Sequence, residues 1–308
     1  LFLNDDLLQG VLLGMEELKE YSVSHSIVFI VGAPLKIGTV LYNCAISFSN
    51  GKIIGITPKT FIPNYGEFYE ARYFASGNHL KDTRITLLGE EVMISNRLLY
   101  HAAGYEDICY AVEICEDLWA ANAPSNLMSV LGATLIFNLS SSNELVGKCA
   151  YRRSLIRSQA AKTRGAYIYA SSGLSESTSD LVFSGHAMIA EANSIRKENE
   201  RFSFESSIIY EDIDVFRLVH DRKMRPNMEG LFTDLQPCHT YFSLQKNKNI
   251  LEKTYSRTPF IPKDKENLEE ILKLQTFALA KRIKHLNYSK MVIGISGGAD
   301  STLAFLVC

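Results

Sequence analysis

The chain lacks most of what would point to a nucleic acid, a membrane or an oxidising compartment. Its 308 residues carry 32 Lys and Arg against 34 Asp and Glu, a formal net charge of -2. There is thus no basic excess to hold a phosphate backbone or an anionic membrane surface. Six cysteines, Cys44, Cys109, Cys115, Cys149, Cys238 and Cys308, are scattered without a C-x-x-C pair, which argues against both a zinc site and a secreted disulfide framework. No apolar run reaches membrane-spanning length, and no basic-then-apolar leader stands near Leu1. Internal repeats and low-complexity tracts are absent too. A cytoplasmic protein acting on a small molecule is expected, with no metal. Because the first residue is leucine, the sequence is expected to begin inside a longer protein.

What is present is an α/β pattern. Hydrophobic residues make up 46% of the chain, enough for a large core without disulfides. Short β-rich runs recur at 26–34, 40–48, 52–58, 108–114, 133–140 and 166–172, several of them apolar on both faces, as in sheets covered on each side. Helical patterns at 125–132 and 151–165 alternate with them. The stretches 184–200 and 203–218 read as strand-and-turn pieces that close the sheet. From about Pro237 to Lys263 the chain is polar and proline-marked and reads as a connector. Residues 264–286 then have apolar positions at helical spacing, with Asp264 as N-cap.

Two apolar runs stop at chemically notable residues. VEICEDLW (112–119) puts Cys115 directly after a strand, followed at once by Glu116 and Asp117. Most cysteines in apolar runs are inert core residues, which is the reading for Cys109. In ITPKTFIPNYGEFYEARYF (56–74), Lys59 likewise stands where a strand ends. A lysine beside a thiol favours the thiolate and would stabilise the oxyanion formed after attack. Glu67 and Glu70 supply carboxylates near that lysine. At the far end, Met291–Ile295 reads as a strand, Ser296-Gly297-Gly298 as a turn, and Asp300-Ser301 as the start of a helix. Such a loop can bring backbone N–H groups and a helix N-terminus up to an anion.

The string S-G-G-x-D-S after a strand, without a Walker lysine, resembles the pyrophosphate loop of the ATP pyrophosphatase family. That resemblance implies that Ser296, Gly297, Gly298, Asp300 and Ser301 face ATP phosphates, with Mg2+ accompanying the ATP. The strings K-x-x-x-P-x-Y-G-E-F-Y-E and E-I-C-E-D-L-W resemble the nitrilase, or carbon–nitrogen hydrolase, superfamily. NLSSSNELVGK (138–148) and ESTSDLVFSGHAMI (176–189) extend the likeness over most of residues 1–240. The implied fold is a nitrilase-type α-β-β-α sandwich at 1–240, a linker at 241–263, and the first elements of a Rossmann-like ATP pyrophosphatase domain at 264–308.

Together the two resemblances are similar to the pairing found in glutamine-dependent NAD synthetases. They imply L-glutamine, ATP and deamido-NAD as substrates, and a homo-oligomer. They also imply a Glu-Lys-Cys catalytic set. Cys115 would be the nucleophile, and Lys59 with the backbone N–H of Glu116 the oxyanion hole. Tyr65, Ser142 and Lys148 would bind glutamine, with Phe68, Glu70 and Trp119 lining the pocket. For Tyr65 and Trp119 simple core packing is the competing reading. The family's general-base glutamate is not matched: LFLNDDLL resembles the tail of the segment that carries it, so that residue is expected ahead of Leu1. Without it, the 308 residues alone are expected to have little glutaminase activity. Two alternatives stay open, a stand-alone nitrilase-type amidohydrolase acting on another amide and a non-catalytic oligomerising scaffold.

Overall fold

The structure, a computed structural model, describes residues 2–80, 82–177, 181–224, 236–245, 253–258, 261–262 and 264–308. It divides into two compact units, residues 1–250 and 251–308. The first begins with helix α1 (Asp5–Tyr21), whose N-cap Asn4 accepts a hydrogen bond from the Asp6 amide at 2.8 Å. Strands β1 (Phe29–Ile37), β2 (Val40–Ser49), β3 (Lys52–Pro58), β4 (Thr83–Leu87) and β5 (Glu90–Ile94) follow and form a five-stranded sheet in the order β1-β2-β3-β5-β4.

The chain then runs through β6 (Leu98–Ala103), β7 (Cys109–Ile114), α2 (Pro124–Val130), β8 (Leu135–Ser140), α3 (Lys148–Thr163), β9 (Ala166–Ser171), β10 (Ala187–Glu191), β11 (Ser194–Glu198), α4 (Val215–Lys223) and β12 (Cys238–Ser243). These strands make a seven-stranded sheet in the order β11-β10-β9-β8-β7-β6-β12. At its centre β7, β8 and β9 run parallel, which requires crossover connections, and α2 and α3 supply them.

Three apolar clusters define the layers. Val11, Leu12, Met15 and Leu18 of α1 pack on β1, β2, β3 and β5. Met128 of α2 and Ile156 and Ala160 of α3 pack on the outer face of the second sheet. Between the sheets lie Ala45, Ile54, Leu98, Tyr100, Tyr110 and Val112, with the Tyr100 and Tyr110 rings stacked at 4.4 Å. The sheets approach closely at Gly55, where a Cβ would come within 2.6 Å of Leu98 Cδ2. The result is the expected α-β-β-α sandwich. Both faces of each sheet are covered, so β7 is buried at every position, which is why its sequence shows no alternation.

Three readings are corrected. Residues 203–218 add no strand to the sheet; Asp214 caps α4 by accepting from the Arg217 amide at 3.0 Å, and the helix buries Leu218. The stretch read as a connector contains β12, an edge strand parallel to β6. The second unit contains α5 (Lys265–Leu286), with Asp264 as N-cap, and α6 (Ala299–Val307). Residues 291–295 do not form a strand, because no described segment of that unit pairs with them. Parts of the 237–263 stretch and of the matched stretch 176–189 lie outside the described residues. No helix among the described residues is long and apolar enough to cross a membrane.

Candidate active site

The residues that directly follow β3 and β7, Lys59 and Cys115, meet in one cavity of about 980 Å³. Cys115 opens a short 3-10 turn, Cys115–Leu118, immediately after β7. Its φ of 47° is left-handed, a conformation costly for any residue with a Cβ and one that persists only where the surroundings enforce it. The enforcing contact comes from Asp117. Its carboxylate accepts from the Ile114 amide at 2.9 Å and from the Phe61 amide at 2.8 Å, so one buried side chain ties the cysteine turn to the loop that leaves Lys59.

Lys59 is itself nearly closed off from solvent, 3% exposed. Its backbone amide donates to Asn43 O at 2.8 Å, and its carbonyl accepts from the Gly77 amide at 2.7 Å. Its ammonium is ion-paired with Glu70, whose other oxygen accepts from Asn43 Nδ2 at 2.7 Å. Glu70 therefore holds the lysine. Glu67 does not: it accepts from Asn143 Nδ2 at 2.6 Å, and hydrogen bonds to its own amide and to Asn143 hold its carboxyl below the usual range. Burial pushes the Cys115 thiol up, while Lys59 and the Ser141 backbone N–H draw it back toward the thiolate.

The sequence-nominated pocket residues all reach this cavity: Tyr65, Phe68, Glu70, Trp119, Ser142 and Lys148 line it, as does Glu116. Lys148 Nζ donates to Asn143 Oδ1 at 2.6 Å and lies 5.3 Å from the centre of the Trp119 ring. Its pKa is lowered, first by burial and then by the nearby Arg152. The Tyr65 hydroxyl donates to Glu116 Oε1 at 2.7 Å. Tyr65 is more than half exposed, so it belongs to the mouth of the cavity and is not the core residue of the competing reading. Cys109, by contrast, is buried in the core with its thiol pushed up to about 12 by desolvation.

The arrangement unites a half-buried thiol, a cation, backbone donors and a cavity large enough for a small amide substrate. The carbon-nitrogen hydrolase family model matches residues 13–222. The chain belongs to the carbon-nitrogen hydrolase family. It is 34% identical to the glutamine-dependent NAD(+) synthetase of Mycobacterium tuberculosis, with 99% of this chain and 46% of that protein aligned. The mouse protein of the same description is 27% identical over 91% of this chain and 39% of its own length. The chain thus spans about half the length of the curated relatives it matches. Among solved structures, a glutamine-dependent NAD(+) synthetase from Cytophaga hutchinsonii superposes with a TM-score of 0.57 at 27% identity, covering 66% of this chain and 32% of that one. Saccharomyces cerevisiae Nit3, of the nitrilase superfamily, superposes at 0.53 over 75% of this chain and 78% of its own, at 17% identity; that likeness concerns the fold.

Sequence reasoning missed several residues that build the site. Asn43, Gly77 and Arg152 sit outside the motifs, and nothing local marks them; Asn143 lies inside NLSSSNELVGK without being singled out. Arg152 is fully buried on α3 and pairs with Glu144 at 2.7 Å, behind the loop that carries Ser142. Asp117 was in view within C-E-D-L, but its Phe61 partner lies 56 residues away in sequence. In the second unit, Ser296, Gly297, Gly298, Asp300 and Ser301 surround the N-terminus of α6, with Gly297 at φ 83° and the Ser296 amide donating to Ser301 Oγ at 3.2 Å.

Proposed function

We propose that this chain supplies the nucleophile and the oxyanion hole for hydrolysis of the side-chain amide of L-glutamine, with the ammonia passing to an ATP-dependent amidation of deamido-NAD to NAD, as part of a glutamine-dependent NAD synthetase. The observation that carries the reading is the meeting of Cys115, in its left-handed turn, with the buried Lys59 inside a single cavity. The 34% identity to a protein so described supports the choice of reaction.

Cys115 attacks the amide carbon, and the negative charge that develops on oxygen falls to the Lys59 ammonium and the Glu116 backbone N–H. Collapse of the tetrahedral intermediate breaks the C–N bond. The amide nitrogen takes up the proton that the thiol gave up and leaves as ammonia, and the glutamyl group stays on sulfur as a thioester. Water then cleaves the thioester, giving glutamate and the free thiol. Lys148, Ser142, Tyr65 and Glu116 offer charged and hydrogen-bonding groups to the amino and carboxylate ends of glutamine, and Phe68 and Trp119 offer apolar walls to its methylenes. In the second unit the Ser296–Ser301 loop would meet the phosphates of ATP, taken with Mg2+ as substrate; its N–H groups, hydroxyls and helix terminus suit an anion.

The test is ammonia release from glutamine by the full-length protein beside Cys115→Ala, with NAD formation from deamido-NAD, ATP and glutamine measured in parallel. Equal ammonia from both proteins sinks the glutaminase reading. Failure of NAD formation with free ammonia as well as with glutamine sinks the synthetase reading. Ammonia release without any NAD formation would favour an amidohydrolase acting alone.

A further inference from the structure

Asn143 stands between two opposite charges, and the proposed reaction gives it no role. It lies in the loop between β8 and α3 and is 2% exposed. Its Nδ2 donates to Glu67 Oε1 at 2.6 Å, and its Oδ1 accepts from Lys148 Nζ at 2.6 Å. Glu67 belongs to the loop that follows β3, and Lys148 is the first residue of α3. Glu67 and Lys148 line the catalytic cavity, with Asn143 buried behind them.

The two neighbours fix the orientation of the amide. A carboxylate only accepts and an ammonium only donates, so Asn143 satisfies both in one orientation alone. Turned over, it would set its NH2 against the ammonium and its carbonyl against the carboxylate. No hydrocarbon or carboxylate side chain reproduces this bridge: the first leaves both charges without it, and the second puts two carboxylates side by side. The backbone beneath is held as well, since the Asn143 carbonyl accepts from Arg152 Nη2 at 3.4 Å.

Lys148 is thereby fixed at the cavity wall. Its Nζ lies 5.3 Å from the centre of the Trp119 ring and 5.9 Å from that of Phe68, so two aromatic rings flank it. An ammonium carries three donors; Asn143 takes one, and two are left for a ligand. Of the two lysines that line the cavity, Lys59 is ion-paired with Glu70. A carboxylate on the substrate therefore falls to Lys148.

We propose that Asn143, kept in orientation by Glu67, is the positioning residue that aims Lys148 at the α-carboxylate of glutamine. This rests on the reading of Lys148 as a glutamine-binding residue and adds what sets its direction. A free lysine side chain gives up rotamer freedom when it grips an anion. The Asn143 bridge restricts it beforehand, so the carboxylate meets a cation already in place. A plainer role for Asn143 is to tie the loop after β3 to the loop after β8, and loss of that tie would disturb the whole site.

The measurement is calorimetric binding of L-glutamine to the full-length protein carrying Cys115→Ala, which leaves glutamine unhydrolysed. Adding Asn143→Leu should raise Kd about tenfold, the loss expected for one hydrogen bond to a charged group. Adding it to Lys148→Met should cost nothing further, because the amide then has no ammonium to aim. Glu67 is exposed, so its variants probe the same bridge without touching the core. Glu67→Gln keeps an acceptor for Asn143 and should bind glutamine about threefold tighter than Glu67→Leu. With Cys115 restored, Asn143→Leu should raise KM about tenfold and change kcat by less than about twofold, a split that a disturbed site would not give.

A Kd within about twofold of the Cys115→Ala protein overturns the proposal, as does a loss that adds in full to that of Lys148→Met. Equal binding by the two Glu67 variants overturns it too, and so does the absence of glutamine binding in the Cys115→Ala protein. Binding without ammonia release by the wild type falls on the functional reading alone.

Discussion

Changing Asp117 to asparagine tests whether one buried carboxyl links the pH dependence of stability to the geometry of the site. Asp117 is 1% exposed, and burial pushes its carboxyl from an ordinary 3.8 to about 7, against the pull of the Ile114 and Phe61 amides. Between those values the folded protein holds a proton that the unfolded chain has released. The unfolded state then binds fewer protons, so stability falls as pH rises. The contribution is fully present below about pH 3.8 and is lost as pH climbs through about 7. A rise of about three pH units at ~1.4 kcal/mol each amounts to about 4 kcal/mol.

Asparagine keeps an oxygen for the Phe61 amide but turns an NH2 toward the Ile114 N–H, a fixed cost of about 1–3 kcal/mol at every pH. Urea unfolding at about pH 5 and about pH 7.5 should therefore show the wild type losing about 3 kcal/mol more than Asp117→Asn across the interval. Parallel losses in the two proteins would refute the reasoning, because the slope would then belong to other groups.

Further outcomes follow from single contacts. Arg152→Met leaves Glu144 buried without its main cation and should cost about 3–5 kcal/mol in chemical denaturation; a loss below about 1 kcal/mol would mean that Arg201, 3.2 Å from the same carboxylate, suffices. Cys115→Gly should unfold at higher denaturant than Cys115→Ala, by about 0.5–1 kcal/mol, since glycine escapes the ~1–2 kcal/mol left-handed penalty but gains entropy when unfolded. Equal midpoints would show that the turn is unstrained. Gly77→Ala would put a Cβ 3.0 Å from the Lys59 carbonyl, and is expected to lower kcat for ammonia release about tenfold or more by displacing the lysine; an unchanged kcat would show that the loop gives way without moving it.

The parts of the site legible in the sequence are those where an apolar β run stops at a reactive residue. Lys59 and Cys115 were found that way, because a buried strand must end where its chemistry is displayed. Asp117 and Asn43 act across long sequence separations, on Phe61 and Glu70, and no local pattern records a partner that far away. Helix α1 is amphipathic, but Gly10 and Gly14 lower its helix propensity and mask it in the sequence. β12 was lost inside a polar stretch because it is an edge strand, with Phe242 its one buried side chain. Residues 291–295 have the composition of a strand, and a strand is defined by a neighbour that composition cannot supply.

The central claim is that Cys115 carries the acyl group. Acid quenching of the full-length protein during glutamine turnover, followed by peptide mass mapping, reads this directly. The account predicts a glutamyl thioester on the peptide containing Cys115, its formation slowed by about 10²–10³-fold in Lys59→Met. Turnover without any adduct on that peptide, or an adduct on a different residue, would contradict it.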